Sequence, residues 1–457
     1  LNEITLKQLF YSRLYEKSEP VLTLNDINLP AASLWTGMRY WIQFFREHNL
    51  QKGERILLSL PPSFTFVYAL LACIWENLTT FVLSPEKYEP HLAESLDCIL
   101  DIHNLDLPNS VQIEDNLPKK ILSSKRKTYL PPSKEILLFL QTSGTTGNSK
   151  WIGLSEKNLL SVLLSHLPHL QAKNKIQIST LPWSHAFGLV LDLLVGLLSA
   201  NYILRDPSNG KDLEQTTKLF KANPNSFWNT VPYSIEKILS IPFGEEVIFS
   251  LGGGIIGGAP IYPNLVEPLQ RSKLRVGYGQ TEASPGISLG EIGKFFPFYL
   301  GQPLGCKVQI NEENELEFQG KNAHIATFQN GEIHILDPQR WVKTKDLCKI
   351  EKQGIFFLGR KDASFKLQNG KMFFTEEWEK EILQAYPNMG SLALIEKDQK
   401  YFLFVENFQY TSFEFWESKL PKMILEKLIL KQASIPKTPK GSIARKKLLT
   451  YLEELTL

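Results

Sequence analysis

Residues 136–167 read ILLFLQTSGTTGNSKWIGLSEKNLLSVLLSHL. Three signals follow one another here. The run 136–140 (ILLFL) is apolar on both faces, which suits a buried strand of a parallel sheet. The segment 155–167 (SEKNLLSVLLSHL) opens at a serine suited to capping and stops before Pro168, as a helix should. Between them lies 142–150, TSGTTGNSK. Its glycines reach conformations closed to other residues and let a ligand approach the backbone. Its hydroxyls and terminal lysine concentrate donors and positive charge, a chemistry suited to polyphosphate. An ordinary surface turn explains the glycines but not the hydroxyl density ending in Lys150. The loop is not a Walker A sequence, because Ser149 stands where that motif has glycine before lysine.

Outward from this stretch the same alternation recurs. Short apolar runs at 56–60 (ILLSL), 247–251 (VIFSL) and 333–336 (IHIL) read as strands, separated by longer amphipathic stretches. The expected class is therefore α/β. No repeat of 20–50 residues is visible, which argues against solenoids and propellers. Two stretches read as boundaries. Residues 116–135 are basic and contain proline, and read as a solvated connector rather than a nucleic-acid patch. A second boundary lies near 359–362 (GRKD), after the strand-like 355–358 (IFFL). Helix and strand signals at 376–385 and 401–405 follow it, enough for a small separate domain.

The chain of 457 residues allows roughly three structural units. Its net charge of +2 gives no global field demanding a polyanion. A hydrophobic share of 43% with 21% charged residues excludes wholesale disorder. The four cysteines (Cys73, Cys98, Cys306, Cys348) form no CxxC pair and read as reduced thiols. The sequence starts at a leucine, with no basic flank leading into an apolar core, so a cytoplasmic location is expected. The apolar runs 66–75 and 189–204, the second broken by Asp192, are too short to span a bilayer and read as core.

Three further stretches carry chemistry. A formal GxGxxG at 252–257 (GGGIIG) is followed by Pro260 and Pro263 and not by a helix and a spaced acid. It reads as close-packed backbone lining a flat ligand, not as a dinucleotide fingerprint. In 276–282 (VGYGQTE), Tyr278 offers a ring for stacking and Glu282 an oxygen ligand for Mg²⁺. An ordinary strand-end turn is the alternative. His185, in LPWSHAFG at 181–188, sits among apolar residues, where a core histidine is the commoner outcome.

Taken together, these stretches resemble the acyl-adenylate-forming superfamily of acyl- and aryl-CoA ligases, luciferases and carrier-protein adenylation domains. The resemblance runs nearly end to end, in order. It includes TSGTTGNSK, LPWSHAFG, GGAP (257–260), GYGQTE, KTKDL (343–347), GRKDASFKLQNG (359–370) and PKTPKGSIAR (436–445). It implies a large N-terminal domain of α/β subdomains plus a smaller β region at 1–359. A small mobile α+β C-terminal domain would follow at 360–457.

By this resemblance, Thr142, Ser143, Gly144, Thr145, Thr146, Gly147 and Lys150 handle the β- and γ-phosphates of ATP. Gly258, Ala259 and Pro260 flank adenine, on which Tyr278 stacks. Gln280 belongs to the same nucleotide-binding motif. Thr281 contacts the α-phosphate and Glu282 serves Mg²⁺. Asp346, helped by Arg360, holds the ribose. His185 and Gly279 border the acyl pocket, and Asp362 is the hinge. The implied activity is ATP-dependent activation of a small carboxylic acid to acyl-AMP. Transfer to the thiol of coenzyme A, or to the phosphopantetheine of an acyl carrier protein, then follows. No nucleic-acid partner and no membrane span are implied.

The last motif departs from the pattern. Its usual final lysine, which bridges the carboxylate and ATP, is Ser442 here, and Lys440 stands two residues earlier. In an extended loop the two positions face the same way, roughly 7 Å apart, because side chains alternate with period two. Either Lys440 substitutes, or the chain is a nucleotide-binding homologue impaired in adenylation. Milder departures are Lys345 for glycine before Asp346, Trp151 for glycine after Lys150, and a short segment between Gly331 and Asp346. The stretch 431–447 holds six basic residues and no acid, and reads either as an anion-facing surface or as a solvated face. Trp183, His185 and Phe187 suggest an apolar acid, fatty or aromatic.

Overall fold

The computed structural model describes residues 4–15, 20–87, 96, 98–101, 110–122, 135–142, 150–367, 371–410, 412–437 and 443–454. Ser143, Gly144, Thr145, Thr146, Gly147, Lys440 and Ser442 lie outside the described residues.

Three sheets build the first 360 residues, and the class is mixed α/β as expected. In the nine-stranded sheet, Arg55–Ser59, Thr79–Val82, Cys98–Asp101 and Ile136–Thr142 run parallel at the centre. Their flanks are antiparallel. Ile136 to Leu140 are all buried, which is why this run is apolar on both faces. A five-stranded sheet pairs Ile176–Ser179, Tyr202–Arg205 and Pro20–Leu24 in parallel. A third sheet of eight strands starts with the parallel pair Gly254–Ile256 and Leu274–Tyr278, and continues antiparallel to Gly354–Arg360. Past residue 360 come the helix Thr375–Ala385, a three-stranded sheet and the helix Arg445–Glu454. The apolar clusters on this side, around Leu403 and Phe404, share no buried member with those of the first 360 residues.

The helix after the glycine-rich loop runs Glu156–His166. Ser155 caps it, accepting the N–H of Asn158, whose side chain returns a bond to the Ser155 backbone. The run 66–75 lies within the buried helix Phe64–Glu76. The run 189–204 is a π-helical segment Phe187–Leu194, a short helix Val195–Ser199 and the strand Tyr202–Arg205. Asp192 interrupts it because it is the centre of a buried network. Ser179 Oγ and Gln177 Nε2 donate to its carboxylate, and Arg205 stands by. Burial pushes the Asp192 carboxyl up to about 6, against the pull of Ser179 and Arg205. Among the described residues, no helix is long and apolar enough to cross a membrane.

Several expectations are corrected. VIFSL at 247–251 is not a strand: Gly244–Ser250 is a helix that buries Val247 and Ile248. A run of this length does not separate strand from one side of a short helix, and Glu245 and Glu246 in its first turn favour the helix. The strand Glu332–Ile335 exists but lies at a sheet edge, antiparallel to Ala326–Gln329, with Ile335 exposed. The connector 116–135 is in part a strand: Leu117–Leu122 pairs antiparallel with Ser110–Glu114. In the basic stretch 431–447, Arg445 faces no anion from solution. It is committed to Glu379 and to the carbonyl of Leu394.

Two buried histidines set the acid stability. His166 packs against Gly286, and burial lowers it to about 4. His324 is lowered to about 3, chiefly by burial and then by Arg340. Both stay neutral while the unfolded chain takes up protons below about pH 6.5. Stability present above that pH is therefore lost as pH falls toward the folded values. Each histidine contributes a loss of about 2.5 kcal/mol between pH 7 and 4.5. Asp192 works the other way, since its raised value makes the folded state the stronger proton binder between about pH 4 and 6. His324→Gln keeps an N–H for the Glu282 carbonyl. Its urea-derived stability is expected to fall about 2–3 kcal/mol less than wild type over this range. Equal losses in the two proteins would overturn the assignment.

Candidate active site

The ends of several strands converge on one region. Thr142 and Lys150 are opposite partners in the hairpin that closes the glycine-rich loop at its base. Thr142 Oγ1 donates to the Lys150 carbonyl at 3.1 Å. Trp151, beside Lys150, is buried in an aromatic group with Phe81, Phe139 and Phe328. Its bulk therefore occupies the core.

The segment 321–326 brackets this hairpin to the turn carrying Thr281 and Glu282. Ile325 N donates to Gly153 O at 3.0 Å, and the adjacent His324 N donates to Glu282 O at 2.9 Å. The His324 ring Nδ1 also lies 3.1 Å from that carbonyl. Ser284 Oγ bonds Asn322 O, and Asn322 Nδ2 bonds Gly286 O. The base of the loop and the Thr281–Glu282 turn are thus held by neighbouring residues of one strand-like segment.

Gly257 and Gly279 are close approaches of backbone to backbone, and Gly277 is closed off by the Ile255 side chain. A Cβ on Gly257 would stand 2.6 Å from Gly277 O and 3.8 Å from the Phe187 ring. LPWSHAFG, GGAP and GYGQTE therefore meet at one place. Gly258 has φ +81°, a conformation that favours glycine. Ala259 and Pro260 follow, partly exposed. His185 is half-buried just before the π-helical segment, its carbonyl accepting Leu189 N–H at 2.8 Å. A Cβ on Gly188 would stand 2.1 Å from Pro182 O, so the turn is packed without slack. π-Helical turns are frequent at functional sites.

Asp346 is the electrostatic centre. Tyr278 Oη donates to its Oδ2 at 2.6 Å, and Arg360 Nη1 donates to its Oδ1 at 2.8 Å. Burial pushes the Asp346 carboxyl up, and Arg360 and Tyr278 pull it back. Tyr278 is raised well above the usual phenol range, chiefly by burial and then by Asp346. Lys345, where glycine was expected, adopts φ +63°, the left-handed region. The turn that presents Asp346 is held there by Lys345 N donating to Glu315 Oε1 at 2.9 Å. Arg360 also reaches Asp362, and its backbone N–H donates to Glu376.

The region fits a nucleotide. Among the described residues, the buried polar atoms here without a hydrogen-bond partner include Gln280 Nε2, in the strand-end motif, Thr230 Oγ1 and Asn322 Oδ1. Buried polar groups are normally satisfied, so each such atom calls for an explanation. Thr230 was missed from the sequence. Its carbonyl accepts Gly257 N–H at 3.0 Å, which places it beside GGAP at 257–260. The signal available was a hydroxyl in NTVP (229–232), ahead of a helix starting at Pro232. Among the described residues, no group of three or more His, Cys, Asp or Glu side chains is placed to hold a metal. A cation at Glu282 would share its coordination with substrate phosphates, as Mg²⁺ does.

The buried Asp346–Arg360–Tyr278 set and the meeting of LPWSHAFG, GGAP and GYGQTE agree with an AMP-forming acid–thiol ligase. The model of the AMP-binding enzyme family matches residues 32–340, and the chain belongs to that family. The chain is 24% identical over 396 residues to D-alanine--D-alanyl carrier protein ligase of Bacillus cereus (strain Q1), covering 76% of this chain and 77% of that one. It is also 24% identical over 487 residues to the probable CoA ligase CCL5 of Humulus lupulus, covering 92% and 88%. Its fold matches ATP-bound MatB from Rhodopseudomonas palustris with a TM-score of 0.78 at 18% identity, over 98% and 99% of the two chains. The anthranilate CoA ligase AuaEII in complex with anthranoyl-AMP matches with a TM-score of 0.79 at 16% identity, over 99% and 98%.

Proposed function

We propose that the protein activates an apolar carboxylic acid, fatty or aromatic, as its acyl-adenylate and passes the acyl group to coenzyme A. The observation that carries this reading is Asp346, held between Tyr278 and Arg360 beside the orphaned Gln280 and Thr230. Asp346 and Arg360 would hold the ribose, Gly258, Ala259, Pro260 and Tyr278 the adenine, and Thr281 the α-phosphate. Thr142, Lys150 and residues 143–147 would hold the β- and γ-phosphates. His185 and Gly279 would border the acyl pocket. Residues 1–359 and 360–457 would be the two domains, with Asp362 as hinge. The separation of their apolar clusters supports that division.

In the first step the substrate carboxylate attacks the α-phosphate of ATP and pyrophosphate leaves. The chain's contribution is alignment and neutralisation of growing charge. Mg²⁺, when bound, would supply further charge at the phosphates, with Glu282 as its protein ligand. In the second step a thiol attacks the acyl carbon and AMP leaves. The relatives named above include both a CoA ligase and a carrier-protein ligase, so a phosphopantetheinylated carrier is the competing acceptor. The greater coverage of the CoA ligase match supports coenzyme A.

Lys440 would replace the missing motif lysine. A pyrophosphate-exchange panel of fatty, aryl and amino acids tests the reading. Exchange is expected with a fatty or aryl acid, and exchange with amino acids alone would overturn it. With the accepted acid, Lys440→Ala is expected to lower exchange roughly 10²-fold, the usual cost of removing one charge-stabilising donor. Ser442→Lys should restore it. Unchanged exchange in Lys440→Ala would rule the substitution out. Comparing coenzyme A with a loaded carrier as acceptor then decides the second step.

A further inference from the structure

On the helix Thr375–Ala385, the Lys380 ammonium lies over three aromatic rings of the first 360 residues. Its Nζ is 4.6 Å from the Phe298 centroid, 4.9 Å from Tyr262 and 5.1 Å from Phe357. The rings come from three segments welded by backbone bonds. Phe298 N donates to Ile261 O, next to Tyr262, and Phe357 N donates to Phe298 O, both at 2.9 Å. Phe298 holds φ +61°, a conformation unusual for a bulky residue. Such a conformation persists where surrounding structure demands it, and clusters where side chains must be aimed. Here it aims a ring at Lys380.

The same helix transmits its position to the end of the chain. One residue before Lys380, Glu379 accepts Arg445 through one carboxylate oxygen and Leu394 N–H through the other. Arg445 lies two residues beyond Ile443, which forms an antiparallel bridge with Lys437. Burial raises the Glu236 carboxyl, and Asn264 and then Lys437 oppose that shift. Glu236 lies on the helix Pro232–Leu239, directly after Thr230 and Val231 at the GGAP segment.

We propose that Lys380 is a positioning residue for adenylate formation. Seated among Tyr262, Phe298 and Phe357, it holds the helix Thr375–Ala385, and through the Glu379–Arg445 pair the end of the chain, against the first 360 residues. This rests on the function proposed above. A cation over aromatic rings is attracted by their negative faces, and more strongly where water is excluded. Burial lowers the Lys380 ammonium, and Glu376 and Glu379 oppose that shift.

The test compares Lys380→Met, which keeps bulk and removes charge, with Lys380→Arg, which keeps a cation for the rings. Hydrogen exchange of the segments 262–270 and 375–385 is followed by mass spectrometry, without substrates. Lys380→Met is expected to raise exchange in both about tenfold, the scale of a partly buried cation–π contact. Pyrophosphate exchange should fall by a similar factor, while thiol transfer from a supplied acyl-adenylate falls less than twofold. Lys380→Arg should recover most of the lost rate. Wild-type hydrogen exchange in Lys380→Met would overturn the proposal, and so would equal losses in both half-reactions. Silence of the wild-type protein toward every acid would count against the proposed function, and the hydrogen-exchange comparison would still decide the latch.

Discussion

Asp346→Ala is expected to cut kcat/KM for ATP in pyrophosphate exchange by roughly 10²–10³-fold, with KM for ATP rising. The residue is almost wholly buried, and each carboxylate oxygen has its own donor. Alanine removes the acceptor of Tyr278 Oη and the counter-ion of Arg360. Breaking a buried pair by deleting one partner typically costs about 3–5 kcal/mol. The Arg360 side chain is 35% exposed and can turn toward water, so the stability loss should sit at or below the lower end. Asp346→Asn separates the two effects. Its amide oxygen still accepts one donor, so folding should largely survive while ribose binding loses the charge. An unchanged KM for ATP in both variants would remove Asp346 from the nucleotide site.

Gly279→Ala is expected to destabilise the fold by about 3 kcal/mol or more, as overpacking into fixed backbone does. A Cβ at Gly279 would lie 1.6 Å from Pro285 O and 2.6 Å from its carbonyl carbon. The facing backbone has little freedom to retreat. Ile287 N donates to Tyr278 O at 3.0 Å, Gly286 N donates to Ala283 O at 2.8 Å, and Asn322 Nδ2 donates to Gly286 O. Relief therefore has to displace Tyr278 on one side or the Thr281–Glu282 turn on the other. Both outcomes should also lower pyrophosphate exchange in whatever fraction stays folded. Urea unfolding measures the first effect. A change under about 1 kcal/mol would show that the turn yields more readily than its hydrogen bonds imply.

Much of the site was legible because its motifs sit where backbone approaches backbone. Gly257, Gly277 and Gly279 are glycines for steric reasons, and such positions leave an unambiguous mark on a sequence. The helix after the glycine-rich loop was equally plain, since Ser155 and Pro168 bound it on both sides. Short apolar runs were less reliable. VIFSL and IHIL look alike by composition. One lies on a helix that buries Val247 and Ile248, and the other is an exposed edge strand. Only the neighbours of each run decide which faces it buries.

By itself, the sequence determined the α/β class and the order of the motifs. Local rules suffice for these, because capping, strand burial and glycine sterics act over a few residues. Tertiary structure alone decided the pairings over long separations. Tyr278 meets Asp346 across 68 residues, and Arg445 meets Glu379 across 66. It also set Thr230 beside Gly257 and Lys380 beneath three rings from separate segments. A charged or hydroxyl side chain carries no periodicity that names its partner. Whether Arg445 greets solvent or fills a buried ion pair depends on which carboxylate the fold brings to it.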